Sequence, residues 1–215
     1  MQIQYCTYAE LVQMVDGSQS SDGVIMVMPF TNAQYAQQAA KTMATRAGSV
    51  GMIWAVLDAQ REGFVKVVNT AFAKSNSPWF GYVAQDAFAG RAWLSLALTA
   101  LGEQKHFLGF NDGKWAGALA GFGLARRAWA QQNYPESGHS FFHPQYVSHY
   151  ADAELTLLAL QAGVYAYEPN SVLVEVDWEK DQAGVNEDDR AHFAKRKAHG
   201  FDGKVQQAVL LDLIA

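Results

Sequence analysis

Polar side chains able to bind ligands stand at the ends of apolar runs in this sequence. Thr31 and Asn32 follow Val24-Ile25-Met26-Val27-Met28 and Pro29, Asp58 follows residues 52–57, and Gln85 and Asp86 follow residues 80–84. Each is also a common turn or capping residue, so position rather than residue type singles them out. Asp152 opens an apolar-periodic stretch, where a carboxylate serves as a helix N-cap and is at the same time held in place. Trp115 lies between Gly113 and Gly117 and offers a flat apolar face, whereas Trp129 falls in a helical stretch and reads as core. The six histidines include no i, i+4 pair on one helix with a third ligand in range, so no dedicated zinc site is expected. His139 and His143 are four apart, but Pro144 and the surrounding glycines make that segment a loop.

The elements that must position these residues follow from periodicity. Thr7-Tyr8-Ala9-Glu10 is a capping box before a short helix to Val15, and residues 16–23 are a polar break. Residues 24–28 form a buried strand that Pro29 stops. Asn32 caps a helix with Ala36, Ala39, Ala40, Met43 and Ala44 on one face. A strand over 52–57 and a helix with Phe64, Val67, Val68, Ala71 and Phe72 on one face come next. After them come a strand over 80–84 and a helix over 92–101 closed by Gly102. Beyond it lie a strand at 106–110, a glycine-rich segment at 113–123, a helix at 124–132, a loop at 133–150 and a helix at 152–162 with Gly163 as its stop. Two short strands at 164–167 and 172–176 precede a tail helix opened by Asn186, acidic in its first turn and basic in its last. Strand alternating with helix predicts an α/β fold, an open, mostly parallel sheet covered by helices on both faces. Ligands of such sheets bind beyond the carboxyl ends of the strands. One domain is expected, with residues 1–23 as a helical extension, 24–180 as the body and 181–215 as a helical tail on the same body.

Composition narrows the function classes. A net charge of −5, with no basic run longer than Lys195-Arg196-Lys197, disfavours a nucleic-acid partner. A single cysteine, Cys6, excludes an internal disulfide and suits a reducing compartment. No signal peptide is read at the N-terminus and no apolar run reaches spanning length, so a soluble, cytoplasmic protein is expected.

Taken in order, the segments resemble the family-2 glycosyltransferases of the GT-A fold over roughly residues 24–176. Pro29-Phe30-Thr31-Asn32 is similar to the family's first strand end beside the nucleotide. Arg61-Glu62-Gly63-Phe64 with Asn69 resembles its second-strand segment, and Gln85-Asp86 stands at its Asp-x-Asp motif. Gly121-Phe122-Gly123-Leu124-Ala125-Arg126-Arg127 is similar to its glycine-rich turn and arginine helix. Tyr150-Ala151-Asp152-Ala153-Glu154-Leu155, followed by Gly163 and Pro169, looks like its Glu-Asp-x-Asp-Leu stretch. The sequence departs from the pattern where Ala84 and Ala151 replace carboxylates, and Glu175 stands where many relatives carry His.

The resemblance implies transfer of a sugar from a nucleotide-sugar donor to a hydroxyl of a glycan, lipid-linked or other small acceptor, with inversion. Asp152 would be the general base, with Glu154 its nearest rival on the acceptor side, and Trp115 would stack on a sugar ring. Pro29, Thr31, Asn32, Asp58, Arg61, Gly63, Asn69, Gln85 and Asp86 would face the donor. Asp86 would hold a divalent cation, Mn2+ or Mg2+, at the diphosphate, its shell completed by Glu175 or Asp177 with substrate oxygens. The alternative is a catalytically degenerate protein of the same fold that binds a nucleotide sugar or carbohydrate; a nucleotidyltransferase would need a Gly-rich basic loop that residues 29–33 lack.

Overall fold

A computed structural model describes residues 1–176 and 184–214. Its centre is an eight-stranded sheet in the order β1-β4-β3-β6-β9-β8-β10-β7. The strands are β1 (Gln2–Thr7), β3 (Val24–Phe30), β4 (Gly51–Leu57), β6 (Trp79–Tyr82), β7 (Ala87–Ala89), β8 (Phe107–Asn111), β9 (Gly123–Arg126) and β10 (Tyr165–Glu175). A separate two-residue pair joins β2 (Gln19–Ser20) to β5 (Ser75–Asn76). β1, β4, β3 and β6 run parallel, β9 lies antiparallel between β6 and β8, and β10 is parallel to β8 but antiparallel to β7.

The helices are α1 (Tyr8–Gln13), α2 (Ala33–Arg46), α3 (Phe64–Lys74), α4 (Trp93–Leu101), α5 (Arg127–Ala130), α6 (Ala151–Gln161), α7 (Glu187–Ala198), α8 (Gly200–Gly203) and α9 (Ala208–Leu211). The expected caps form: Thr7 and Glu10 close the capping box, Asn32 accepts from the Gln34 and Tyr35 amides, and Asn186 accepts from the Asp188 and Asp189 amides. Apolar residues fill both faces of the sheet. Val24, Met26, Met28, Met43 and Trp93 pack on the α2/α4 side, and Ile25, Val27, Trp54, Phe72 and Phe141 on the α3/α6 side. Alternation along β3 therefore feeds both cores, which is why its apolar run is unbroken.

Several expectations are corrected. Gln2–Thr7 is a strand, so residues 1–23 are not simply helical; its polar–apolar alternation suits an edge, and Tyr5 stays exposed. β3 runs through Pro29, which pairs with Val56. The Val27 carbonyl accepts from the Val83 amide and the Phe30 carbonyl from the Asp58 amide, so Pro29 faces the β6 side, beyond the last β3–β6 pair, where no donor is needed. Residues 123–126 are strand rather than helix, with Gly123 packed so closely on Phe107 that a Cβ would lie 2.8 Å from that ring. The two expected strands at 164–176 are one strand with a register shift between Glu168 and Val172. That bend lets β10 pair with β8 and then with β7.

Candidate active site

At the carboxyl edge of the parallel strands, side chains first set loops. Gln85 Oε1 accepts the backbone amides of Thr31 at 2.9 Å and Asn32 at 2.8 Å, so the turn after β3 is fixed from β6. Asp58 is buried, and its two carboxylate oxygens accept the amides of Glu62 at 2.8 Å and Gly63 at 3.1 Å. Arg61, in that turn, is exposed and left-handed, with φ 56°. Gly63 has φ 105°, and a Cβ there would lie 2.9 Å from both the Cγ1 and the carbonyl oxygen of Val147. Asn69 exchanges two hydrogen bonds with the backbone of Phe142, at 3.0 and 2.8 Å. Of the expected donor-facing residues, Asp58, Asn69 and Gln85 thus engage backbone groups, as does the exposed Asn32 in capping α2, while Thr31 and Arg61 are exposed.

Beside this edge lies a cleft of about 610 Å³. Its wall includes Asp152, Trp115 and Glu175 from the expected set, with Ala84 at the Asp-x-Asp position; none of the expected donor-facing residues lines it. Asp152 is not the N-cap of α6. Tyr150 takes that place with φ 66° and no side-chain cap, and Asp152 sits in the first turn with its carboxylate accepting the Ala153 amide at 2.9 Å. Burial pushes its carboxyl up to about 6 against the pull of two backbone hydrogen bonds, and the charges of Asp112 and Glu175 push the same way.

Asp112 is a site residue the sequence reading missed. Only 4% exposed, it accepts the amides of Lys114 at 2.9 Å and Trp115 at 3.0 Å, which fixes the glycine-rich loop and turns Trp115 into the cleft, 43% exposed. Gly121 makes room for it, since a Cβ there would lie 2.8 Å from Asp112 Oδ2. The only signal in sequence was an Asp at the end of a strand, the criterion already applied to Asp58 and Asp86. Backbone hydrogen bonds join these ends: the Glu175 amide donates to the Asp112 carbonyl at 3.4 Å and the Val176 amide to the Asp86 carbonyl at 3.2 Å. Asp86 is 9% exposed and does not line the cleft itself. Asp177 and the expected boundary at 180 lie outside the described residues.

Glu154 faces the other way. It is fully buried and accepts from Arg196 at 2.7 Å through each oxygen, from Tyr134 at 3.0 Å and from Tyr146 at 2.8 Å. This is a structural ion pair rather than an acceptor contact. His143 lies near the same pair; burial and the Arg196 charge bring its imidazole down to about 4, so it is neutral at pH 7. Its Nδ1 is 3.3 Å from Nε2 of His192. Arg127 binds the Ser77 and Phe72 carbonyls and the Ser75 hydroxyl, and Trp129 stacks on Phe107 in the core as expected.

Among solved structures the fold has clear counterparts. Glucosyl-3-phosphoglycerate synthase from Mycobacterium tuberculosis, in complex with Mg2+ and UDP, superposes with TM-score 0.55 at 11% identity, covering 96% of this chain and 88% of that one. The mannosyltransferase PcManGT from Pyrobaculum calidifontis, in complex with GDP-Man and Mn2+, gives 0.52 at 11%, covering 96% and 84%. Residues 1–349 of S. aureus TarS give 0.50 at 12%, covering 86% and 75%. The chain has the GT-A fold of these proteins. No protein-family profile and no curated protein matches the sequence. Among the described residues, no helix is long and apolar enough to cross a membrane.

Proposed function

We propose that this chain is a glycosyltransferase that moves a sugar from a nucleotide-sugar donor to an acceptor hydroxyl with inversion. The observation that carries the reading is Asp152, a carboxylate on the cleft wall at the carboxyl edge of a GT-A sheet, with its carboxyl raised to about 6. The acceptor oxygen attacks the anomeric carbon from the face opposite the diphosphate. Its proton passes to Asp152 as the new C–O bond forms, and the bond to the diphosphate breaks with its electron pair leaving on phosphate oxygen. A base near 6 is mostly ionised at neutral pH yet basic enough to take a proton in the transition state. Trp115 offers a sugar ring a flat partner, and the strand-end turns at 31–32 and 61–63 face the nucleotide.

The carboxylates fit a divalent cation of the Mg2+ or Mn2+ class in chemistry, since all are hard oxygen donors. Asp86 directly precedes Ala87, which pairs with Glu175 across β7–β10, and of the two only Glu175 lines the cleft. Among the described residues no three His, Cys, Asp or Glu side chains are grouped to hold a metal ion, so these two would share it with donor oxygens. When bound, such an ion neutralises charge gathering on the diphosphate. The replacement of carboxylates by Ala84 and Ala151 favours the second reading, a binding protein of the same fold without turnover.

Thermal unfolding against a panel of nucleoside diphosphates and nucleotide sugars, each with Mn2+, Mg2+ or EDTA, tests the donor site. A ligand at about 100 times its dissociation constant stabilises the fold by roughly 2.7 kcal/mol. A shift with one nucleotide series, followed by donor hydrolysis or transfer, supports the enzyme. A shift without turnover under any metal supports the nucleotide-sugar binder, and no shift with any member removes the enzyme and that binder and leaves the carbohydrate-binding protein.

A further inference from the structure

The tail helix α7 presents Asp189, Phe193 and Arg196 to the interior, spaced four and three apart along one stripe, while Glu187 and Asp188 beside them are exposed. Two of these three buried residues are charged. Arg196 meets Glu154 in the first turn of α6, as described above. Asp189, 1% exposed, stands behind the cleft wall rather than on it: its Oδ1 accepts the Val147 amide at 2.8 Å, and its Oδ2 accepts the Ser148 amide at 2.9 Å and the His149 amide at 2.8 Å. Three consecutive amides converging on one buried carboxylate fix the path of a segment that has no regular secondary structure of its own.

That segment matters because of what it joins. Ser148, His149 and Tyr150 line the cleft, and Tyr150 is the left-handed residue from which α6 starts, two positions before Asp152. On its other side the Val147 carbonyl accepts from the Val65 amide and packs against Gly63, the residue whose side chain the loop has no room for. The loop is thus set between the turn after β4 and α7.

We infer that Asp189 is a positioning residue: its carboxylate holds residues 147–149, and through them the head of α6 with Asp152, in register with the cleft. The inference rests on the transferase reading for its kinetic consequence and on hydrogen bonding alone for its structural one, so the two are tested separately. Asp189→Asn keeps the shape and one accepting oxygen but turns the other into a donor facing backbone N–H groups. Hydrogen exchange is followed at Val147, Ser148 and His149 and at the first turn of α6, with turnover measured across donor concentrations. Met43→Ala, in the core on the opposite face of the sheet, serves as a control for lost stability alone.

Faster exchange at 147–149 that extends to Ala153 and Glu154, with kcat lowered by on the order of 10- to 100-fold and donor KM nearly unchanged, is the expected result. Unchanged exchange at 147–149, or exchange that rises there but stops short of α6, overturns the inference. So does a kcat that falls no further than in Met43→Ala. If the unaltered protein turns over no donor, the transferase reading fails while the exchange pattern still decides whether Asp189 sets the head of α6.

Discussion

Asp152 is subject to opposing demands. Its environment disfavours the ionised form that a general base needs, and the same environment gives it a useful basicity. Asp152→Asn should lower transfer by roughly 10²- to 10⁴-fold while a nucleotide that shifts the melting point of the parent still does so. Transfer by the parent should rise with pH through about 6, as the carboxyl ionises. The sign for stability is opposite. A carboxyl whose folded value lies above its ordinary one favours the fold when protonated. That contribution is present below about pH 4 and lost as pH rises through the folded value. The variant has no such loss, so its melting temperature relative to the parent should increase from acid to neutral pH; a constant or falling difference contradicts this account of Asp152. At this scale the sequence was only partly legible. Residue type and position on a strand end pointed to Asp58, Gln85 and Asp86, yet could not tell a ligand contact from a bond to a neighbouring amide. Glu154 and Asp152 are two apart on one helix, and only the third dimension separates an interior ion pair from a cleft carboxylate.

Between elements, a buried ion pair closes the joint of α6 and α7. Arg196→Met leaves Glu154 buried with two tyrosine hydroxyls and no cation, which should cost about 3–5 kcal/mol in chemical denaturation. Removing both charges in Glu154→Leu with Arg196→Met should cost much less than the single change; equal costs would mean that the pair is not what stabilises this joint. Glu154 stood out in sequence for a different role, and neither buried charge of α7 stood out at all. Arg196 sits between Lys195 and Lys197, and Asp189 follows two exposed acids, so both were read as dipole complements; the spacing to Phe193 was the available signal. Helices were otherwise legible because their caps and 3.6-residue stripes are local. β9 was not, since its strand conformation comes from pairing with β6 and β8 on either side, and four residues carry too little pattern to announce it.

Across the whole molecule, two apolar layers hold the sheet, and Trp93 ties the α2/α4 layer together. Fully buried, it packs edge-on against Phe110 at 5.4 Å, donates its indole N–H to the Met43 carbonyl at 3.0 Å and accepts from Ser171 through its own carbonyl at 2.6 Å. Trp93→Ala should destabilise by about 3–5 kcal/mol by denaturant midpoint, with little change in the cleft on the other layer. A loss below about 1 kcal/mol would show that this layer tolerates a large void. The fold class was the most legible feature of all, because strand–helix alternation over the first half of the chain is a global pattern made of local signals.

The ion pair that closes α6 onto α7 also gives the chain an order of assembly. Glu154 and Arg196 are 42 residues apart in sequence, with the end of the sheet's last strand between them. During synthesis every strand of the sheet leaves the ribosome before the cation that neutralises the head of α6. A nascent chain halted after β10 therefore has a complete sheet and an uncompensated charge inside it. The tail arrives as the counterion of a core already laid down, and a graft of α7 from another protein would have to bring both its acid and its arginine at the same seven-residue interval.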